Sequence, residues 1–160
     1  MKISKKITVP AVIGAIYTVL TLVLLPVSFG PLQFRVSEAL TVLPFLYPPA
    51  AWGLFAGCFL SNLIGSGNIL DIVFGSLATL AAGLITSKCK RRMLAPLPPV
   101  IVNAVVIGLV LGFTASPQSP LAASLIIGGQ ILVSQALVCY GLGLPLLHFL
   151  KKYDYKFLKF

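Results

Sequence analysis

The sequence predicts an all-α integral membrane protein of six transmembrane helices with both termini cytoplasmic, and three observations carry that expectation. Of its 160 residues 58% are hydrophobic and 9% charged, with a mean hydropathy of +1.03, far from the composition of a soluble domain. At about 20 residues per crossing there is room for six spans and short loops, so residues 1–160 read as a single membrane domain. Eleven of the twelve Lys and Arg gather in three clusters. Lys2, Lys5 and Lys6 precede the first apolar run, Lys88, Lys90, Arg91 and Arg92 interrupt the middle, and Lys151, Lys152, Lys156 and Lys159 follow the last. Such clusters mark cytoplasmic ends. Only Arg35 stands elsewhere. The formal charge of +9 is thereby accounted for by topology, and nucleic acid is not an expected partner, because no stacking aromatics or folded basic face accompany the clusters.

The first run, Ile7 to Val27, is a full crossing. The preceding MKISKKITVP resembles a signal-peptide start, but the apolar stretch is too long for one and lacks an A-x-A cleavage site, so it is read as a real span. The next block, Ala39 to Ile64, is interrupted by Pro44, Pro48 and Pro49. If the amino terminus and the Lys88–Arg92 loop lie on one side, an even number of crossings separates them, so this block contains two. Tyr47-Pro48-Pro49 is then a cytoplasmic turn. The helix before it, Val36 to Leu46, is too short to span unless it starts near Pro31 or its outer end rests inside the protein. Further blocks run from Ile69 to Thr86, from Leu97 to Ala115 and from Leu121 to about Phe149, the last long enough to tilt or to break at Gly141, Gly143 and Pro145.

This topology places three loops outside: Phe29 to Arg35, Gly65 to Asn68 and Ser116 to Pro120. Glu38 and Asp71, the only carboxylates besides Asp154, both lie near that surface. Ionisable groups at membrane depth are costly and normally face a partner or a cavity. Glu38 either pairs with Arg35, three residues earlier, or contacts a ligand, and the two are compatible if the pair is exchanged for the ligand. Asp71 either caps the helix that Asn68 starts or lines a pocket. Asn62 either bonds loop backbone beside Gly65-Ser66-Gly67 or meets a ligand. Asn103 and Gln135 are membrane amides of the kind that bond between helices, each worth about 0.6 kcal/mol. Gln130, about two and a half turns below the outer loop, sits at the depth of an outward pocket. Gln33 shares the first loop with Arg35.

On the first helix Ala11, Ala15 and Thr18 form a stripe of small residues with Gly14 beside it, suited either to packing within the chain or to docking on a partner helix. Cys58, Cys89 and Cys139 are single and widely spaced, which suggests neither a metal site nor a disulfide framework. The chain has no G-x-x-x-x-G-K-[ST] phosphate loop. Its one histidine, His148, has no acid or nucleophile evident beside it, so neither a hydrolase triad nor a zinc enzyme is suggested, and no cofactor.

GPLQFRVSEALTVLP, followed by GLFAGCFLSNLIG and DIVFGSLATL, resembles the QueT family of queuosine-precursor transporters, from Ile7 to about Pro145. That family belongs to the substrate-binding, or S, components of energy-coupling factor (ECF) importers. The resemblance implies the six-helix S-component fold, outward loops closing over the substrate, and three partners: a coupling membrane subunit and two ATPase subunits. It implies docking through an Ala-x-x-x-Ala pattern, matched by Ala11 and Ala15. The implied substrate is 7-aminomethyl-7-deazaguanine or a relative such as queuine. A carboxylate can accept the paired N1–H and N2–H donors of a guanine-like edge, and the aminomethyl cation suits a second acid. Amides Asn62, Asn103 and Gln130 are candidates for the remaining edge, and Phe34, Phe74 or Tyr140 for stacking. The alternatives are an S component for another vitamin or purine-like nutrient, a small membrane enzyme, or an assembly subunit that binds no small molecule.

Overall fold

The computed structural model describes residues 3–30 and 33–152, and among these every regular element is a helix. Lys2, Pro31, Leu32, Asp154, Lys156 and Lys159, which enter the topology and loop expectations, lie outside the described residues. The first run divides into α1 (Ile3–Val23) and a short α2 (Leu25–Ser28), because Pro26 lacks the amide that would continue the helix and its ring crowds the carbonyl four residues back. A 3₁₀ helix, Val36–Phe45, follows. The Tyr47-Pro48-Pro49 turn then leads into α3 (Ala50–Gly65), so the block from Ala39 to Ile64 does hold two helices. A π turn, Asp71–Gly75, runs into α4 (Ser76–Ser87). After the basic loop come α5 (Leu97–Ala115) and α6 (Pro120–Val138). A second π turn, Cys139–Gly143, continues α6 into α7 (Leu144–Lys152) where the glycines predicted a break.

Three helical stretches, Lys6–Val23, Arg92–Ala115 and Pro120–Lys152, are long and apolar enough to cross a membrane; Val36–Phe45, Ala50–Gly65 and Asp71–Ser87 are shorter apolar helices. Large apolar side chains such as Ile7, Val19, Leu125 and Leu137 are exposed along them, as lipid-facing surfaces require.

Two helix pairs frame the molecule, α1 on α3 and the antiparallel hairpin of α5 and α6. Backbone contact fixes the first pair: a side chain at Gly53 would collide with the Pro10 carbonyl, and a Cβ at Gly14 would lie 2.5 Å from the Gly53 oxygen. Between the frames runs the 3₁₀ helix, with Ser37, Glu38, Ala39, Thr41, Val42, Leu43 and Pro44 all buried. Its rise gives ten residues a reach of about 20 Å, against about 15 Å for an α-helix. The short second helix is thus partly lengthened by its geometry, and its Glu38 end rests inside protein.

The ends of the bundle differ. Val9 of α1, Tyr47 and Leu150 of α7 pack into one apolar cluster, and Ala95 packs with Leu147 and Leu46 in another. The start of α1, the Tyr47 turn, the basic loop and the end of α7 therefore share one end. Ser28, Arg35, Gly65 and Asp71 lie at the other, where the side chain of Phe29 abuts Gly65.

Candidate functional site

Near that second end, the irregular helical segments surround a small cavity lined by Gln33, Arg35, Glu38, Gly75, Thr79, Asn103, Ile107, Ile131 and Gln135. Its interior leaves about 10 Å³ for the centre of a water molecule, whereas small-molecule sites run to about 300 Å³ or more. The cavity is closed down, and a ligand of nucleobase size requires its walls to move apart.

Glu38 is 1% exposed and is held from two sides. Its Oε1 accepts the Tyr17 hydroxyl of α1 at 2.5 Å, a length typical of a hydroxyl on a carboxylate, and its Oε2 accepts Asn103 Nδ2 of α5 at 3.2 Å. Its backbone carbonyl takes the Thr41 hydroxyl at 2.6 Å and the Cys139 thiol at 3.5 Å, which ties the second π turn to the 3₁₀ helix.

The Arg35–Glu38 ion pair, one of the two readings of Glu38, is not formed. Arg35 precedes the helix in extended backbone, off the face that an i, i+3 pairing assumes. Its Nη2 lies 3.3 Å from Asp71 Oδ2, its Nε donates to the Ser28 carbonyl at 3.3 Å, and its guanidinium stands 4.6 Å from the centre of the Phe29 ring. Asp71 is not the helix cap either. Asn68 holds that turn, accepting the Leu70 amide at 3.0 Å, while the Asp71 carboxylate turns inward.

Asn62 Nδ2 donates to the Asp71 carbonyl at 3.1 Å, not to the glycine-rich loop. Asp71 Oδ1, Asn62 Oδ1 and Ser28 Oγ are buried without a hydrogen-bond partner. A Cβ on Gly75, in the cavity wall, would meet both Asn62 Nδ2 and Asp71 Oδ1 at 3.0 Å, so glycine there leaves these groups room. Gln33 closes the cavity from the first loop with a left-handed backbone, φ +44°, a conformation costing about 1–3 kcal/mol that is found most often at ligand clamps and switches.

Gln130 does not join the cavity. It is exposed and lines a separate groove with Phe34 and Gly129, while Gln135 faces inward. Five residues turn a helix through about 500°, a net displacement of about 140° around its axis, so depth alone does not decide which amide faces the cavity. Phe34, Phe74 and Tyr140 are also absent from the lining, whose apolar walls are Ile107 and Ile131. Tyr17, Thr79 and Gln135 are the contributors that the sequence reading did not place at the site.

The stripe on α1 divides. Ala11 and Ala15 are exposed, and Ala11 borders an open groove with Pro49, Trp52 and Ala56. Thr18 is half-buried, its hydroxyl donating to the carbonyls of Gly14 at 2.9 Å and Gly57 at 3.1 Å. Thr18 therefore serves the contact with α3.

The family described as the QueT transporter matches residues 7–152 of this sequence. The chain belongs to the QueT transporter family. Its apolar helices, three stretches of them long enough to cross a membrane, accordingly belong to a multi-pass membrane protein. It is 38% identical over 72 residues to the queuosine precursor transporter QueT of Lactococcus lactis subsp. cremoris (strain MG1363), a match covering 44% of this chain and 42% of that relative. No solved structure matches this QueT-family chain.

Proposed function

We propose that this QueT-family chain is the substrate-binding component of an ECF importer, capturing 7-aminomethyl-7-deazaguanine or a related queuosine precursor. The observation that carries this reading is the buried acid–amide cavity at the end opposite the basic loop. Glu38 has both oxygens engaged by single donors, so each retains a lone pair for a paired donor edge. Arg35, Glu38 and Asp71 supply two acids for one guanidinium, and buried charges are normally paired. A ligand bearing one positive charge balances the three.

In this proposal the Glu38 carboxylate takes the guanine-like edge and Asn103 and Gln135 complete the polar wall, while Asp71 and Asn62, which stand beside Gly75 and not on the lining of the closed cavity, are reached when the walls part, Asp71 taking the ammonium through its unpartnered oxygen. Gln33 and Arg35 form the closing loop. Six crossings in a single domain, with both termini and the basic loop cytoplasmic, put the cavity mouth outside. Ala11 and Ala15, beside the Trp52 groove, form the docking face for a coupling membrane subunit that works with two ATPase subunits.

Two experiments test the reading. Competition binding should show 7-aminomethyl-7-deazaguanine displaced by purine-like compounds and not by unrelated vitamins; displacement by the latter would refute the substrate class. Cysteines placed in Ser116–Pro120 should react with an impermeant reagent from outside and those in Lys88–Arg92 should not, and the reverse pattern would overturn the topology.

A further inference from the structure

We propose that Tyr17 is the positioning residue for Glu38. This rests on the reading of Glu38 as the acceptor of the guanine-like edge. Tyr17 is fully buried, and its hydroxyl holds Glu38 Oε1 at 2.5 Å while Asn103 holds Oε2. One turn further on, the Thr21 and Ser37 hydroxyls bond at 2.7 Å, so α1 grips the 3₁₀ helix at the residue next to Glu38 as well. The anchor is itself fixed, because Gly14, Gly53 and Gly57 bring the backbones of α1 and α3 into contact and Thr18 bonds the Gly57 carbonyl.

A carboxylate held by donors from two helices keeps one orientation, which is what recognition of paired donors requires. Without Tyr17, Glu38 must be ordered by the ligand at the ligand's cost.

The test is a double-variant cycle on the purified full-length protein, titrated with 7-aminomethyl-7-deazaguanine and with its analogue lacking the exocyclic N2 amine. Tyr17→Phe keeps the ring and its packing and should weaken binding of the first ligand about tenfold, the worth of one hydrogen bond to a charged group. Its effect on the second should be under about threefold, since only one donor then needs the aligned carboxylate. Added to Glu38→Gln, the Tyr17 change should cost less than about twofold more, because it acts through Glu38. Equal losses for the two ligands, or additive losses in the double variant, would reduce Tyr17 to a packing residue. A large loss in Glu38→Gln with none in Tyr17→Phe would overturn the positioning role and leave the Glu38 reading standing. No loss in Glu38→Gln would overturn both.

Discussion

Replacing Asp71 by Asn removes a negative charge while keeping the shape of the side chain. In the parent, Asp71 Oδ2 pairs with Arg35 at 3.3 Å, and both side chains are buried. The asparagine can still accept from the guanidinium, but Arg35 loses its counter-charge, and breaking a buried pair from one side costs about 3–5 kcal/mol of stability. Binding should change separately. If the Asp71 carboxylate receives the aminomethyl cation, the variant forgoes one charge-assisted bond of about 1.5–3 kcal/mol, which is a ten- to hundredfold loss for the aminomethyl base. An analogue without the amine should lose little. Calorimetric titration of the two ligands gives the comparison, and thermal unfolding without ligand gives the stability term. The combination Arg35→Met with Asp71→Leu separates the effects further, since replacing both partners by apolar groups should recover most of the stability without recovering preference for the cation. Equal losses for both ligands in Asp71→Asn would refute the assignment of the ammonium to Asp71.

Other consequences can be checked alongside. Ala15→Leu should abolish uptake in cells carrying the coupling and ATPase subunits while the isolated protein binds substrate within about twofold of the parent; normal uptake by the folded variant would remove the docking role. Gln135→Ala should weaken binding about tenfold, the worth of roughly one hydrogen bond, and Gln130→Ala should leave it unchanged, a contrast read in one binding assay and contradicted by the opposite order. Gly53→Ala should lower stability by about 1–3 kcal/mol, as overpacking at a closed contact does, because its methyl meets the Pro10 carbonyl; an unchanged melting temperature would mean that α1 and α3 part at little cost.

The pattern of helices was readable from proline and charge. The end of α5 at Ala115 and the turn at Tyr47 follow from local chemistry, a polar loop in one case and adjacent prolines in the other. The 3₁₀ and π geometries were not readable, although Gly141 and Gly143 marked where the second π turn falls. The geometries depend on contacts between distant segments, such as the Cys139 thiol on the Glu38 carbonyl, which leave no local mark. At the site, burial cost pointed correctly to Glu38, Asp71, Asn62 and Asn103 as groups with business inside the protein. Partners were harder. The Arg35–Glu38 pairing assumed that both residues were helical, and one residue of extended backbone redirected Arg35 to Asp71. Tyr17 did leave a signal, a phenol in the middle of an apolar span that must find a hydrogen-bond partner when buried, but nothing in the first helix says that the partner lies 21 residues away.

In the proposed site Glu38, buried and aligned, reads the donor edge of a guanine-like base. The most direct test of that role is titration of 7-aminomethyl-7-deazaguanine into the parent protein and into Glu38→Gln, whose amide keeps one acceptor oxygen and sets a donor beside it. The parent should bind saturably and one-to-one, and the variant ten- to hundredfold more weakly, the loss of at least one hydrogen bond to a charged group. Equal affinity for parent and variant would contradict that role for Glu38.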